Sequence, residues 1–179
     1  SGGMSGAGGF TRYGANGNSL SMVPGGTVTL HGTNTYTGPT PIFPATLIVK
    51  KAAGLYNGDA AKWTPANITI HKAATLRLNV GGPGEFTGEH VGTLLGNLIR
   101  SVDDNGLMGG SVLCLDTSNA RDPVTVSANI SDSKGPGGGA FRLKKCGAGT
   151  LQLAGMNTYT GQTILEGGAL SVASLNSFT

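Results

Sequence analysis

Charge is scarce in this 179-residue chain: Lys, Arg, Asp and Glu together make up 12% and aromatic residues 6%. The net charge is only +3, and its small basic clusters, Lys50–Lys51 and Arg142 with Lys144 and Lys145, have no aromatic residues interleaved. Nucleic acid is therefore excluded as an expected partner. Only two cysteines are present, Cys114 and Cys146, and the three histidines, His31, His71 and His90, show no ligand spacing. No metal centre and no cofactor are expected from such a set. The cysteines leave two readings open, a disulfide or two separate buried thiols. A bond would close a loop of 32 residues and add roughly 3–4 kcal/mol. No apolar run is long enough to cross a bilayer, so this segment is not expected to insert into a membrane. An initiator Met and a signal peptide are also missing, and the opening "SGGMSGAGG" reads as part of something larger.

What the chain does have is glycine, 32 residues of it, with Thr, Ser and Asn filling the space that charge leaves. Disorder would accompany low hydrophobicity and high net charge. Here Val, Leu and Ile recur in short clusters, so the composition indicates many short strands with glycine at the corners.

The strongest signal is an echo. "GTVTLHGTNTYTGPTPIFPATLIV" begins at Gly26, and "GTLQLAGMNTYTGQTILEGGALSV" begins at Gly149. The two align without a gap at an offset of 123 residues. Gly26, Leu30, Gly32, Asn34, Tyr36, Gly38 and Thr40 meet Gly149, Leu153, Gly155, Asn157, Tyr159, Gly161 and Thr163. Upstream, "FTRYGA" at 10–15 is similar to "LKKCGA" at 143–148, with additional residues, "NGNSLSMVPG", before Gly26. Within each copy polar and apolar residues alternate, the period of a strand with one buried face. Gly and Asn supply the corners between strands. Strand, corner, strand, corner, strand within about two dozen residues is the length of a solenoid coil. Such strands bury one face each and gain stability by stacking on neighbouring coils. The matched Asn positions are candidates for ladders between coils.

Between the copies, "ITI" and "TLRLNV" continue the alternation, and "GSVLCLDT" and "PVTVSANI" resume it. One stretch differs. Val91, Leu94, Leu95, Leu98 and Ile99 stand at helical spacing, with Thr87 as a candidate N-cap and Glu89 in the first turn. A short helix is predicted around residues 88–99, covering an apolar face or a sheet edge.

The residues from Leu143 to Val172 resemble the autotransporter-associated β-strand repeat, also called the passenger-associated transport repeat. Its pattern is apolar-x-Lys-x-Gly-x-Gly-Thr-Leu, then Asn-Thr-Tyr-x-Gly-x-Thr, then Gly-x-Leu-x-Val. The first copy departs from it at "PTPIFPATLIV", where prolines replace small residues. The resemblance implies an all-β fold, a right-handed parallel β-helix (β-solenoid), in an exported bacterial surface or secreted protein. It implies a structural role, and it carries no catalytic residues. Residues 1–179 are then expected to form one solenoid segment of a larger protein, with copies at 10–49 and 143–172 and the other strands and the helix in 50–142.

Asp103 and Asp104, with Asn105, are hard oxygen donors and weak calcium candidates, but their spacing fits no standard calcium loop. The same aspartates, with Arg142 and Lys144, superficially resemble a polysaccharide-cleaving β-helix site. "VDDNGL" reads more simply as a turn, so no enzyme is expected. Tyr36, Tyr159, Tyr56 and Trp63 are candidates for a sugar-binding platform, against which stands packing at corners. The expected function is a stalk or display scaffold on the cell surface or outside the cell. Its partners are flanking coils of the same protein or further copies stacked end to end into a filament. The alternative is an adhesin module that binds a surface glycan.

Overall fold

The structure is a computed structural model and describes residues 4–5, 10–11, 21–22, 24–100 and 102–173. Three strands of two residues open it: β1 (Met4–Ser5), β2 (Phe10–Thr11) and β3 (Ser21–Met22). The first repeat copy holds β4 (Thr27–Leu30), β5 (Thr40–Ile42) and β6 (Thr46–Val49). Three single-turn 3-10 helices follow at Ala52–Gly54, Tyr56–Gly58 and Ala60–Lys62. Next come β7 (Ile68–Ile70), β8 (Thr75–Asn79), the helix α1 (Gly88–Leu98), β9 (Gly106–Leu107), β10 (Val112–Asp116) and β11 (Val124–Val126). The second copy holds β12 (Arg142–Cys146), β13 (Thr150–Leu153), β14 (Thr163–Leu165) and β15 (Ala169–Val172). The three strands from Gly26 onward and the three from Gly149 onward have the same bounds once the 123-residue offset is applied.

Every pairing between strands from β4 onward is parallel. A parallel ladder cannot be made by a hairpin, so the chain must travel round before each return. It does so over three sides. One side is a seven-stranded sheet in the order β1-β4-β6-β8-β10-β12-β14. A second is β5-β7-β9, continued by loop 130–140, whose Ala140 carbonyl accepts from Gly110 N, and by residue 158, whose N–H reaches the Ile130 carbonyl. The third side holds the 3-10 turns, α1, and then β11-β13-β15. The mostly β architecture, with parallel strands stacked coil on coil and one short helix, is that of a β-solenoid, and it does not close into a barrel.

The interior is built by register. Val28, Leu47, Leu76, Leu113 and Leu143 face one another along the seven-stranded sheet, and beside them run Leu30, Val49, Leu78 and Leu115. All nine are buried. Burying each contributes about 1.5–3 kcal/mol. The alternation seen in the sequence works because a side-chain period of two keeps every second residue inside.

Helix α1 spans the predicted stretch, with Ile99 as its C-cap. Thr87 Oγ1 accepts from His90 N at 3.1 Å, and His90 Nδ1 accepts in return from Thr87 N at 3.3 Å. The helix lies against β11, where a preceding coil would otherwise place a strand. Gly88 permits this contact, because a Cβ there would fall 1.7 Å from the Thr125 carbonyl oxygen. Its opposite flank is fixed by Trp63, fully buried, whose ring meets Phe86 and the edge of His90.

The start of the chain differs from expectation. β1 pairs antiparallel with β4, and β2 pairs antiparallel with β3. The match of "FTRYGA" to "LKKCGA" therefore does not extend to pairing, since β12 runs parallel to β10. The rest of that lead-in, residues 12–15, and most of the additional residues after it lie outside the described residues.

The copies also do not stack on each other as equivalent turns of one ladder. β4 and β6 belong to the seven-stranded sheet, whereas β13 and β15 form the third side. Within each copy the first and third strands pair in the same register, Thr27 with Thr46 and Thr150 with Ala169. The unit is the same, but the second copy is advanced by one side of the solenoid. The intervening coils, lengthened by the 3-10 turns, the helix and loop 130–140, add up to four coils and one side more.

Candidate functional site

The repeat residues come together as a corner that joins one coil to the next. In the first copy Leu30 is fully buried, and in the second Leu153 is 1% exposed. The Leu30 carbonyl accepts from Lys50 N, and the Leu153 carbonyl from Ala173 N. Gly26 O accepts from Thr46 N at 2.9 Å, and Gly149 O from Ala169 N at 3.3 Å. The corner itself is extended and alternating: Asn34 and Tyr36 turn inward between exposed Thr33, Thr35 and Thr37, as Asn157 and Tyr159 do between Met156, Thr158 and Thr160.

The Asn residues bond to main chain of the adjacent coil. Asn34 Nδ2 donates to its own coil at Gly32 O and to the next coil at Gly54 O. Asn157 Oδ1 accepts from Ile130 N of the preceding coil at 3.2 Å. Outside the motif, Asn129 Oδ1 accepts from Met156 N, and the Asp132 carboxylate from Thr160 N and Oγ1. The Tyr residues repeat one bond: Thr40 Oγ1 donates to Tyr36 Oη at 3.0 Å, and Tyr159 Oη and Thr163 Oγ1 share a hydrogen bond of 2.6 Å. Burial pushes the Tyr36 hydroxyl far above its ordinary range and Tyr56 up to about 12. The glycines mark close approach. A Cβ on Gly161 would lie 1.7 Å from Phe141 O, on Gly155 2.2 Å from Ala128 O, and on Gly149 2.6 Å from Thr117 O. Gly32 accepts the Asn34 amide, and Gly38 O accepts from Tyr56 Oη at 2.9 Å.

In the sequence Lys145 belongs to a basic cluster, but the structure turns it inward. Lys145 occupies the inner row after Leu115 and is fully buried. Its Nζ donates to the carbonyls of Cys146, Gly147 and Gly167 at 2.9, 2.7 and 2.9 Å. It thus closes the corner of its own coil and clamps the next. Desolvation lowers its pKa. Parity was the available signal, since Lys145 is two residues from Leu143 and points the same way.

The sugar-platform reading of the aromatic residues is overturned. Trp63, Tyr56 and Tyr159 are buried, and Tyr36 is half-buried against the core. A ring in the core offers no face to a ligand, and Tyr56 packs on Tyr36 at 4.6 Å between centroids. Asp103 and Asp104 occupy a tight turn with φ of 49° and 59°, where Asn105 Nδ2 donates back to Asp103 O. Asn105 Oδ1 accepts from Thr69 Oγ1. Among the described residues no group of three or more His, Cys, Asp or Glu is placed to hold a metal ion. Arg142 and Lys144 lie on the outer parity of β12, and Lys144 pairs with Glu166 at 2.6 Å. Cys114 and Cys146 are brought together on that same outer parity as free thiols, Sγ to Sγ 2.7 Å. Among the described residues no helix is long and apolar enough to cross a membrane.

The passenger-associated transport repeat model matches residues 25–42 and 143–172. The first match ends at residue 42, inside the proline-rich departure, although β6 still forms beyond it. Over 126 residues the chain is 34% identical to the adhesin BmaC autotransporter of Brucella suis biovar 1 (strain 1330). That alignment covers 68% of this chain and 3% of the relative, so the chain spans a small fraction of that protein's length. No solved structure matches the chain. Two family matches, both falling on the corners just described, and a relative of this kind lead to one conclusion: this chain is an autotransporter-associated repeat protein.

Proposed function

We propose that the chain is a structural segment of an exported bacterial surface protein, a right-handed β-solenoid that extends or displays what is joined to it. The observation that carries this reading is the state of the second copy. Leu47 and Val49 of β6 are fully buried beneath β8, while their counterparts in β15, Leu170 and Val172, are only half-buried. The motif is one on which a further coil can stack, as β8 stacks on β6. That coil would come from flanking sequence of the same protein, or from a second molecule stacked end to end as a filament. The inward Asn, Tyr and Lys side chains of the repeat hold their own or a neighbouring coil by hydrogen bonds, which supports a mechanical role over an enzymatic one. Export and surface display rest on the autotransporter relative.

The test is made in the full-length protein. Residues 26–172 are deleted, or replaced by an unrelated β-solenoid of equal coil number, and surface exposure of a tag on the distal side is measured. The expected outcome is loss on deletion and recovery with the replacement. Failure of the replacement to restore display would overturn the scaffold reading. Electron microscopy of the isolated chain over a range of concentrations tests the filament; short monodisperse particles throughout would refute it.

A second reading, an adhesin module for a surface glycan, is favoured by the name of the relative alone. Its ligand would have to meet the outer face, because the aromatic residues are inside. Binding on a glycan array by this chain, absent from the unrelated solenoid, would establish it.

A further inference from the structure

The outer face of the seven-stranded sheet carries two adjacent rows. One runs Arg77, Cys114, Lys144, and the other runs Asn79, Asp116, Cys146, with Glu166 next in line on the following coil. Along them, three pairs bridge successive coils on the same diagonal. Arg77 Nη2 meets Asp116 Oδ2 at 2.6 Å, Cys114 Sγ meets Cys146 Sγ at 2.7 Å, and Lys144 Nζ meets Glu166 Oε1 at 2.6 Å. In each pair the second residue stands one coil on and two positions along. The two thiols thus fill the slot that a cation and a carboxylate fill in the coils on either side. Two separate thiols have no charge attraction to draw them together there, and a metal is not the alternative, since no set of three ligands is present among the described residues.

We propose that Cys114 and Cys146 form a disulfide that staples the coil of β10 to the coil of β12, at the point where the second repeat copy begins. This rests on the exported setting of the proposed function, which supplies the oxidant class, a protein or small-molecule disulfide. The thiolate of one cysteine attacks that disulfide, forming a mixed disulfide and expelling one donor sulfur as thiolate. The second cysteine's thiolate attacks the chain's own sulfur in the mixed disulfide and expels the other donor sulfur. The two thiol protons end on the donor's two sulfurs, which leave as thiols, together two electrons richer. Cys114 is 2% exposed and Cys146 4%, so no external thiol or disulfide has a line of attack on the folded coil. Burial also holds both thiols in the protonated, unreactive form. The bond is therefore made before β12 and β14 close over it, and once made it resists reduction until the coils part.

The experiment uses the whole chain, denatured and reduced, then refolded with oxidised glutathione or with excess reduced glutathione. Maleimide tags added after a second denaturation count the thiols, and intact mass is read alongside. The expected result is no tag and a loss of two hydrogen atoms after the oxidising refold, and two tags after the reducing one. The oxidised product should keep its bond when a phosphine reductant is added to the folded protein and lose it in denaturant. Two free thiols, or glutathione adducts, in a chain that shows β-sheet circular dichroism after the oxidising refold would overturn the staple. The supplied oxidant makes the result independent of export, so a failed display experiment and a failed staple are told apart.

Discussion

The two repeat copies have the same strand bounds and the same internal register, yet among the described residues a further coil covers the first copy and none covers the last strand of the second. Leu47 and Val49 are sealed, while the strand of Ala169–Val172 alternates between exposed and half-buried, and Leu165 is 53% exposed against full burial of its counterpart Ile42. The sequence of a copy fixes its local path. Its burial comes from what stacks on it, as expected where each coil contacts only its neighbours. A motif of this kind can be repeated at any place along a shaft, and its stability will differ from place to place.

That comparison can be broken hardest at the corner. Gly161→Ala would put a methyl 1.7 Å from Phe141 O, so the coil of β14 must lift. A loss of at least about 4 kcal/mol is expected in denaturant unfolding, as for other overpacked sites at the extreme of single substitutions. A milder loss would show that the coil can shift to make room.

The next test sets equivalent leucines against each other. Leu47→Ala should cost about 2–5 kcal/mol, as a core truncation. Leu170→Ala should cost under about 1 kcal/mol, because only part of its area leaves water. Adding flanking sequence that continues the solenoid should bring the second value toward the first. Equal costs in the isolated chain would refute neighbour-dependent burial.

Lys145→Met sharpens the comparison, because the inner row is otherwise apolar from Leu30 to Leu115. One buried and two part-buried carbonyls lose their donor, and about 2–3 kcal/mol is expected at neutral pH. The sign of the pH effect follows from the lowered pKa. Folded protein binds fewer protons at Lys145 than unfolded protein does, so stability rises as pH climbs from the folded value toward the ordinary 10.5 and is lost as pH falls through it. Between neutral pH and pH 10.5 the gap in denaturation midpoint between wild type and Lys145→Met should change by this rise, because the buried tyrosine hydroxyls and thiols, whose raised values cost stability as pH climbs, are common to both chains.

The smallest effect is on the outside. Lys144→Ala removes a pair whose carboxylate is half exposed, and about 0.2–1 kcal/mol is expected, vanishing in high salt. A larger, salt-independent loss would place the outer diagonals among the main supports of the stack.

Much of this was legible in the chain. Period-two alternation located the strands, and helical spacing with a Thr cap located α1, because both signals are local. Lys145 could have been found by parity with Leu143, but charge suggested the surface. The burial of Tyr56 and Trp63 was hidden because residues 52–62 wind as 3-10 turns without a clear period, filling a side where other coils place a strand. The diagonal meeting of Cys114 and Cys146 depends on the register between two coils, which a spacing of 32 residues does not reveal. The one-side advance of the second copy was hidden for a related reason: alignment measures residues between copies, and the insertions separate residue count from angle.

That advance sets the directions in which the two corners face. The exposed threonines of the first corner and those of the second leave the axis in directions about a third of a revolution apart, since a coil has three sides. Lengthening a loop within one side would leave this azimuth untouched, whereas inserting or deleting a single side would rotate every later feature. The segment between the copies acts as an indexing collar, setting the compass bearing of what lies beyond it as well as the distance.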